Sequence, residues 1–515
     1  MLILLLTATA LSAAEEDDES LLIAGVRPDR VWLAYASGYM SAPSMFGHVQ
    51  LVFAGPGAEG PARIAVQYAA NLGDDGLGLG ETFRSLFASL PAQIEHALYY
   101  RRIRAYRGLV QRDLWEYELD LDQDGIDALI RAIHAEEAEP SGYNFLFFNC
   151  ADGIYRLLQR ADPAQRLPRS PATILSPLGC VRELRERGMF RDTSWTPNLQ
   201  RQFELADREL DAHDRELARQ FADQDPEQTG EPPHQPALTA QAAITRLQRR
   251  FYLRDITLAE YSTRLEHIIE RCGSPAEPPA PPADIDPSFS HPPRAIALSG
   301  GVRGERAMIS ARLRLGYHAL IDQPAGQVAW SGIHLLEADL DWLFADPDRD
   351  PDPDDGFTIE RVDILRIESL APSNDLAGSP AWSAAVGMRR ILVREEEREP
   401  AGLVRIAGGK SLALGDHAIA YLLIGPSLLI DPPRSTHWWH AEACLGSVIS
   451  TNAVGIHAEI AWRPDLGSEW QHELEAKLEA RIGIAGQVDL IARGEWQRIH
   501  HADHRAASIG LRIGF

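Results

Sequence analysis

The stretch SGYNFLFFNCADGIYRLL, residues 141–158, decides the N-terminal fold because it joins an aromatic run to a helix at a cysteine, Cys150. Apolar residues after the cysteine recur at the i, i+3, i+4 spacing of an amphipathic helix: Ile154, Leu157 and Leu158. Aromatic residues before it predict a buried, extended approach: Tyr143, Phe145, Phe147 and Phe148. A helix that begins at Asn149 or Cys150 places the sulfur in the first turn, where unpaired N–H groups and the helix dipole favour a thiolate.

A nucleophilic cysteine also needs a base. The segment SMFGHVQLVF, residues 44–53, offers His48 at the start of a predicted strand. The structural alternative is that Cys150 is an inert, buried hydrophobic residue among phenylalanines.

These motifs carry a resemblance to a known family. Four segments resemble those of the bacterial Lnb-type N-terminal periplasmic domain, a family named for a lipoprotein N-acyltransferase. They are SMFGH (44–48), VQYAA (66–70), RDLWEY (112–117) and Tyr143…Asn149-Cys150. That family belongs to the circularly permuted papain-like proteins, with NlpC-type cell-wall amidases and the lecithin:retinol acyltransferase group among its relatives. The resemblance covers about residues 30–190, and it implies an α+β fold in which the histidine strand precedes the cysteine helix.

The resemblance also implies roles for single residues. Cys150 is the expected nucleophile and His48 the expected base, while Gln67 falls where the family usually has the asparagine that orients the imidazole. An amide oxygen of glutamine can accept the ring N–H as well, and Asn71 is the alternative. Further candidates near the substrate are Asn149, Tyr143 and Glu116. The alternative is that Glu116 is an ordinary strand residue that forms an ion pair with Arg101, Arg102 or Arg104.

Composition and charge exclude some functions. The formal net charge of −24 and the lack of a basic stripe argue against nucleic acid as a partner. The four cysteines have no metal-ligand spacing, so we expect neither a metal nor a cofactor. A disulfide framework is not expected, although a Cys180–Cys272 bridge stays open.

The chain divides into five predicted segments. Residues 1–14 are apolar and end in small residues before an acidic run, which predicts a secretory signal peptide. Residues 15–190 form the predicted cysteine domain, with a glycine-rich lid within 72–111. A helical spacer is predicted over 191–272, and a stiff Pro-rich linker over 273–294.

Residues 295–515 change from helical spacing to alternation. In the segment 307–319 the odd positions are apolar, and in 507–515 they are apolar up to the terminal Phe515. Segment 474–484 fits both periods, and its context favours a strand. About twelve such segments predict an antiparallel outer-membrane β-barrel surrounded by lipid. The alternative is a soluble antiparallel sandwich.

Together these observations predict an outer-membrane enzyme whose cysteine domain faces the periplasm. The expected chemistry is acyl transfer or hydrolysis through a Cys–His thioester mechanism on a lipid or lipoprotein acyl group. Two alternatives remain: an NlpC-type peptidoglycan amidase or peptidase, and a non-catalytic barrel protein with a binding domain.

Overall fold

A computed structural model describes residues 27–38, 46–57, 60–71, 88–145, 147–162, 166–168, 174–223, 232–277, 280, 285–344, 356–373, 380–394, 397–430, 439–464, 472–499 and 502–515. The chain forms two compact units, residues 1–282 and 283–515. The predicted signal peptide and most of the predicted lid, residues 72–87, lie outside the described residues. No helix in these ranges is long and apolar enough to cross a membrane.

The first unit contains a seven-stranded antiparallel sheet, in the order β6-β4-β3-β2-β1-β5-β7. Its strands are β1 (Arg30–Ala36), β2 (His48–Gly57), β3 (Gly60–Ala70), β4 (Leu90–Leu98), β5 (Leu114–Leu119), β6 (Gly142–Tyr143) and β7 (Phe190–Thr196). The predicted histidine strand is confirmed, because β2 begins at His48 and returns antiparallel as β3.

Helices cover this sheet and continue beyond it. They are α1 (Tyr99–Arg104), which runs into a π-helical turn (Ala105–Leu109), α2 (Gln123–Ala138), α3 (Cys150–Ala161), α4 (Pro177–Glu186), α5 (Leu199–Glu209), α6 (Ala212–Asp223), α7 (Pro236–Tyr252) and α8 (Leu258–Cys272). The helix that the opening stretch predicted is α3. It begins at Cys150 because the side chain of Asn149 accepts hydrogen bonds from the amides of Ala151 and Asp152.

Several details differ from the sequence analysis. The predicted spacer, residues 191–272, starts in strand β7, which extends the sheet by pairing with β5. Its mostly polar, partly exposed sequence FRDTSWT lacks the apolar alternation that predicts a strand. Strand β4 was also missed, because it lies in the region interpreted as a lid.

The Pro-rich linker, predicted as extended over 273–294, is partly folded. Residues 287–289 form a 3₁₀ turn capped by Asp286, and Ser288, Ser290 and His291 are buried. The amide of Phe515, the last residue, donates to the carbonyl of Arg294 (3.0 Å). The second half of this segment therefore belongs to the C-terminal unit, because contacts with the end of the chain fix it.

The second unit is a closed barrel of twelve antiparallel strands. They are β8 (Ala295–Arg303), β9 (Arg306–His318), β10 (Ser331–Leu343), β11 (Gly356–Ser369), β12 (Ala381–Arg394), β13 (Glu397–Gly415), β14 (Ala418–Ile430), β15 (Trp439–Ser450), β16 (Val454–Pro464), β17 (His472–Ala485), β18 (Val488–Ile499) and β19 (Ala502–Gly514). Each strand pairs with the next along the chain, and β19 closes the barrel against β8. The ambiguous segment 474–484 lies in β17, as predicted.

The faces of this barrel are the reverse of those of a soluble protein. On β19, Ile509, Leu511 and Ile513 are each at least half exposed, whereas Arg512 between them is only 6% exposed. The same apolar exposure recurs on other strands, for example at Ile309, Ile424, Leu445 and Leu478. An apolar outer surface around a charged interior is stable in lipid. The soluble sandwich is therefore excluded, and the predicted outer-membrane barrel is confirmed.

Candidate active site

The site is built where β2 begins and the helix α3 starts. Gly47 precedes His48 with a φ of +74°, and a Cβ atom there would lie 2.8 Å from the Tyr35 ring. Gly153, in the first turn of α3, lets the helix approach the sheet, since a Cβ atom would lie 2.4 Å from the ring of Tyr68. These two glycines allow His48 and Cys150 to occupy their positions.

A chain of hydrogen bonds fixes the imidazole of His48. Its Nε2 lies 3.0 Å from Oε1 of Gln67, and Nε2 of Gln67 donates to the carboxylate of Glu95. Glu95 faces Gln67 across the β3–β4 ladder, and Arg102 donates to its carboxylate (3.1 Å). Because a carboxylate only accepts, it orients the Gln67 amide so that the oxygen faces the ring. The ring nitrogen Nε2 therefore carries the proton, and Nδ1 keeps a lone pair that can act as a base.

The pKa of Cys150 contradicts the sequence expectation of a stabilised thiolate. Burial raises the pKa of the Cys150 thiol to about 11. The backbone N–H groups of Val49 and Ala151 and the cation of Arg112 lower this pKa, but by less than burial raises it. The N–H groups of a helix N-terminus favour the thiolate, but here the desolvation of the buried sulfur is the larger effect. The resting sulfur is therefore a thiol at neutral pH.

The imidazole is neutral at the same pH. Burial lowers the pKa of His48 to about 4, with further lowering by the cations of Arg112 and Arg102. The hydrogen bond to Gln67 and the charge of Glu95 act in the opposite direction. Among the described residues no hydrogen bond joins the sulfur to the imidazole; the amide of Val49, the residue after His48, faces the sulfur. The arrangement is a neutral thiol beside a neutral base.

Three residues of the site had no role predicted from the sequence: Arg112, Tyr106 and Glu95. The guanidinium of Arg112 is buried and lies 5.6 Å from the centre of the Tyr106 ring, which is itself 6.4 Å from the His48 ring. Arg112 stands in the quoted segment RDLWEY, so its position in a matching motif was the available signal. Glu95 could have been found only by recognising β4 as the neighbour of β3.

Asn149 and Tyr143 flank the sulfur in different ways. The amide oxygen of Asn149 accepts from Ala151 (2.9 Å) and Asp152 (3.3 Å), and its nitrogen donates to the carbonyl of Leu175 (2.9 Å). Asn149 thus positions the helix.

The Tyr143 ring stacks on the ring of Tyr68, with 6.1 Å between the ring centres, and the hydroxyl of Tyr143 accepts from the Cys150 amide. Of the first three amides of α3, only that of Cys150 is not engaged by Asn149.

Two of the predicted candidates lie elsewhere. Asn71 is exposed at the end of β3, where its backbone amide donates to the carbonyl of Pro91 (2.8 Å). Glu116 accepts from Arg63 (2.7 Å) and from the hydroxyl of Ser194 (3.1 Å). The pairing of Glu116 with an arginine is thus found, but the partner is Arg63 instead of a residue of α1.

The aromatic run before Cys150 is not the buried approach that was predicted. Phe147 and Phe148 are 41% and 49% exposed, whereas Phe145 packs edge-on against Phe46 at 4.8 Å. The run is a tight loop, in which the amides and carbonyls of Asn144 and Phe148 pair with each other. An extended strand would alternate buried and exposed rings, and this loop instead presents two neighbouring rings to the surface, with the Arg156 guanidinium over that of Phe148 (5.5 Å).

The four cysteines are free, so the open possibility of a Cys180–Cys272 bridge is excluded in this structure. Among the described residues, one group could hold a metal ion, formed by Asp211, Asp214 and His234. Asp211 accepts a hydrogen bond from the backbone amide of Asp214 (2.9 Å). Asp214 in turn accepts one from the backbone amide of Gln235 (2.6 Å). These hydrogen bonds to the backbone account for the two carboxylates, and no member of the group belongs to the cluster around Cys150.

Comparisons with known proteins cover both units. Residues 17–187 match the family described as the Lnb N-terminal periplasmic domain, and residues 284–513 match a domain of unknown function, DUF7840. No curated protein has a sequence that matches the chain.

Among solved structures, the match to the KdgM porin (7% identity, TM-score 0.26) covers 43% of this chain and 99% of the porin chain. The NanC porin (5%, TM-score 0.27) covers 43% and 100%. The outer membrane channel DcaP of Acinetobacter baumannii (7%, TM-score 0.21) covers 43% and 94%. The barrel assignment rests on the strand pairing and the surface described above. The chain is therefore an outer-membrane protein that joins an Lnb N-terminal periplasmic domain to a closed twelve-stranded β-barrel.

Proposed function

We propose that the N-terminal domain is a cysteine acyltransferase or hydrolase in which Cys150 is the nucleophile and His48 the base. The observation that carries the proposal is the chain from Glu95 through Gln67 to the imidazole. It leaves Nδ1 of His48 as a proton acceptor, and the next residue, Val49, directs its amide at the Cys150 sulfur. A purely structural buried cysteine does not need an oriented base beside it.

Because thiol and imidazole are both neutral, the proton moves while the substrate is attacked. Nδ1 of His48 takes the Cys150 proton as the sulfur bonds to the carbonyl carbon of an ester or amide. The leaving alcohol or amine then takes that proton as its bond to the carbonyl carbon breaks, which gives a thioester. An acceptor amine or water attacks the thioester, loses a proton to His48, and the thiol is restored. The Tyr143 hydroxyl, which accepts from the Cys150 amide and keeps its own proton to donate, and the cation of Arg112 are the groups that can stabilise the oxyanion.

The surface beside the cysteine favours a lipid acyl group as the substrate. Phe147 and Phe148 expose their rings two or three residues before Cys150, and apolar rings offer contacts to an acyl chain. The barrel in the same chain also keeps the domain near lipid substrates, which raises their local concentration. A peptidoglycan amidase shares the cysteine chemistry, but a polar stem peptide gains little from two exposed phenylalanines.

Trapping of the thioester tests this proposal. Full-length protein in detergent is incubated with p-nitrophenyl decanoate, and its peptides are analysed by mass spectrometry. We expect a decanoyl group on Cys150 that hydroxylamine removes, and no label in Cys150→Ser. The Cys180→Ser variant is the matched control, because Cys180 is a second buried thiol in the same domain, and it should be labelled like the wild type.

Other outcomes identify the alternatives. If Cys150 stays unlabelled while the protein releases new amino groups from a muropeptide digest, the amidase alternative is correct. If neither reaction occurs in folded protein, the domain binds its target without catalysis.

The pH dependence of acylation is a second prediction. Only the neutral imidazole accepts a proton, and the pKa of His48 is lowered to about 4. We therefore expect the acid limb of kcat/KM to have its midpoint near pH 4, well below the usual histidine value near 6.5. Arg112→Met removes a cation that lowers this pKa, so its acid limb should move to higher pH. The control is Arg101→Met, which replaces an exposed residue. A wild-type limb at or above pH 6.5 would contradict this electrostatic picture.

A further inference from the structure

Opposite walls of the barrel approach each other. Strands β12 and β18 are six places apart in the ring of twelve, yet some of their Cα atoms lie within 8 Å of each other. A round barrel of twelve tilted strands, spaced at about 4.8 Å, would have a diameter of more than about 20 Å. The barrel is therefore flattened. Several buried side chains on β12 are small: Ala381, Ser383 and Ala385.

Ion pairs cross the interior between distant strands. Arg389 of β12 lies 3.8 Å from Glu475 of β17, five strands away around the ring. Arg398 of β13 lies 4.0 Å from Glu495 of β18, again five strands away, and also contacts Glu360 of β11. Such pairs can form only if the side chains reach across the lumen.

A second layer of pairs crosses the barrel between other strands. Arg312 of β9 lies 3.0 Å from Glu479 of β17, and Arg493 of β18 lies 3.3 Å from Asp339 of β10. Each pair joins strands that are four places apart. The cavity beside them has a volume of about 20 Å³. That is room for about one water molecule and far less than a solute path requires.

The segment 319–330, between β9 and β10, closes one end. Its Asp322 is 1% exposed and lies 2.7 Å from Arg314 and 2.5 Å from Arg512. The carbonyl of Ile321 accepts from Arg481 of β17 (2.6 Å), and Gly455 of β16 lies so close that a Cβ atom would be 2.1 Å from that carbonyl oxygen. The segment thus starts at β9 and crosses the interior to strands on the other side.

We propose that this barrel is a closed membrane anchor and not a channel, sealed by its cross-lumen ion pairs and by the inward segment 319–330. Arg312, Arg389, Arg398 and Arg493 each lie within 4.0 Å of a carboxylate on a distant strand, so these fixed charges satisfy one another across the lumen. The barrel then holds the N-terminal domain at the membrane. This proposal is independent of the acyl-transfer proposal, because it rests on the second unit alone.

Ion flux through full-length protein tests the proposal. The protein is reconstituted into vesicles of E. coli polar lipids loaded with KCl, and the vesicles are floated on a density gradient so that only those carrying protein are assayed. We expect potassium efflux from the wild type to equal that of protein-free vesicles. Sustained, protein-dependent efflux from the wild type would overturn the proposal.

A variant tests what seals the lumen. One protein combines four substitutions: Arg312→Ala, Arg389→Ala, Arg398→Ala and Arg493→Ala. The folding of this quadruple variant is checked by its heat-modifiable migration on gels. We expect efflux at least tenfold above the wild type, because four long side chains no longer cross the lumen. The matched control is Arg498→Ala with Arg505→Ala, which removes exposed arginines and should stay sealed. If the quadruple variant is folded and its potassium efflux equals that of the wild type, the role given to the ion pairs is overturned.

Discussion

Replacing His48 by alanine is expected to slow the acylation of Cys150 by roughly 10²–10⁴-fold, the usual contribution of a positioned general base. The reason is the neutral state of the thiol: with a pKa of about 11, few sulfurs are ionised at pH 7, so attack depends on a base that removes the proton during bond formation. Gln67→Ala leaves the imidazole in place but free to rotate or change tautomer. For that variant we expect a smaller loss, about 10–100-fold, as for other residues that orient a catalytic group.

The measurement is the rate of p-nitrophenol release from p-nitrophenyl decanoate by full-length protein. The matched control is His134→Ala, because the His134 side chain is about half exposed on α2 and should leave the rate unchanged. Added imidazole should restore part of the rate to His48→Ala, since a free base can enter the space left by the ring. A His48→Ala protein that is folded and as fast as the wild type would show that Cys150 does not use this histidine.

Replacing Asn149 by alanine is expected to lower the free energy of unfolding of the N-terminal unit by about 2–4 kcal/mol. Loss of the N-cap costs about 1 kcal/mol. The buried carbonyl of Leu175 loses its donor as well, which costs about 1–3 kcal/mol more. Because Asn149 is engaged with the helix and this carbonyl, we expect the effect on stability to exceed the effect on catalysis.

Urea unfolding of full-length protein, followed by near-ultraviolet circular dichroism, measures the loss. Ser176→Ala is the control, because Ser176 caps α4 through one bond to the amide of Gly179 (3.0 Å), and its loss should cost only about 1 kcal/mol. Asn149→Asp keeps both acceptor bonds and should lie between the two. If folded Asn149→Asp loses most of its acylation rate at unchanged stability, Asn149 acts on the substrate instead.

The sequence determined the features that depend on local periodicity. The helical spacing after Cys150 predicted that α3 begins at Asn149 or Cys150, and the helix begins at Cys150. The alternation in residues 295–515 predicted a barrel of about twelve strands, because a lipid-facing strand must be apolar at every second residue. Strand β7 was missed, since its mostly polar, partly exposed residues carry no such alternation.

The tertiary structure alone decided the properties that depend on neighbours distant in sequence. The pKa of Cys150 is raised because the folded chain buries the sulfur, an effect that outweighs the helix terminus visible in the sequence. Glu95 reaches Gln67 only through the β3–β4 pairing, and this contact sets the tautomer of His48. In the barrel, the alternation predicts that charges face inward, but only the folded strands show which charges meet across the lumen. Periodicity is a local property of the chain, whereas desolvation and ion pairing depend on the whole packed domain.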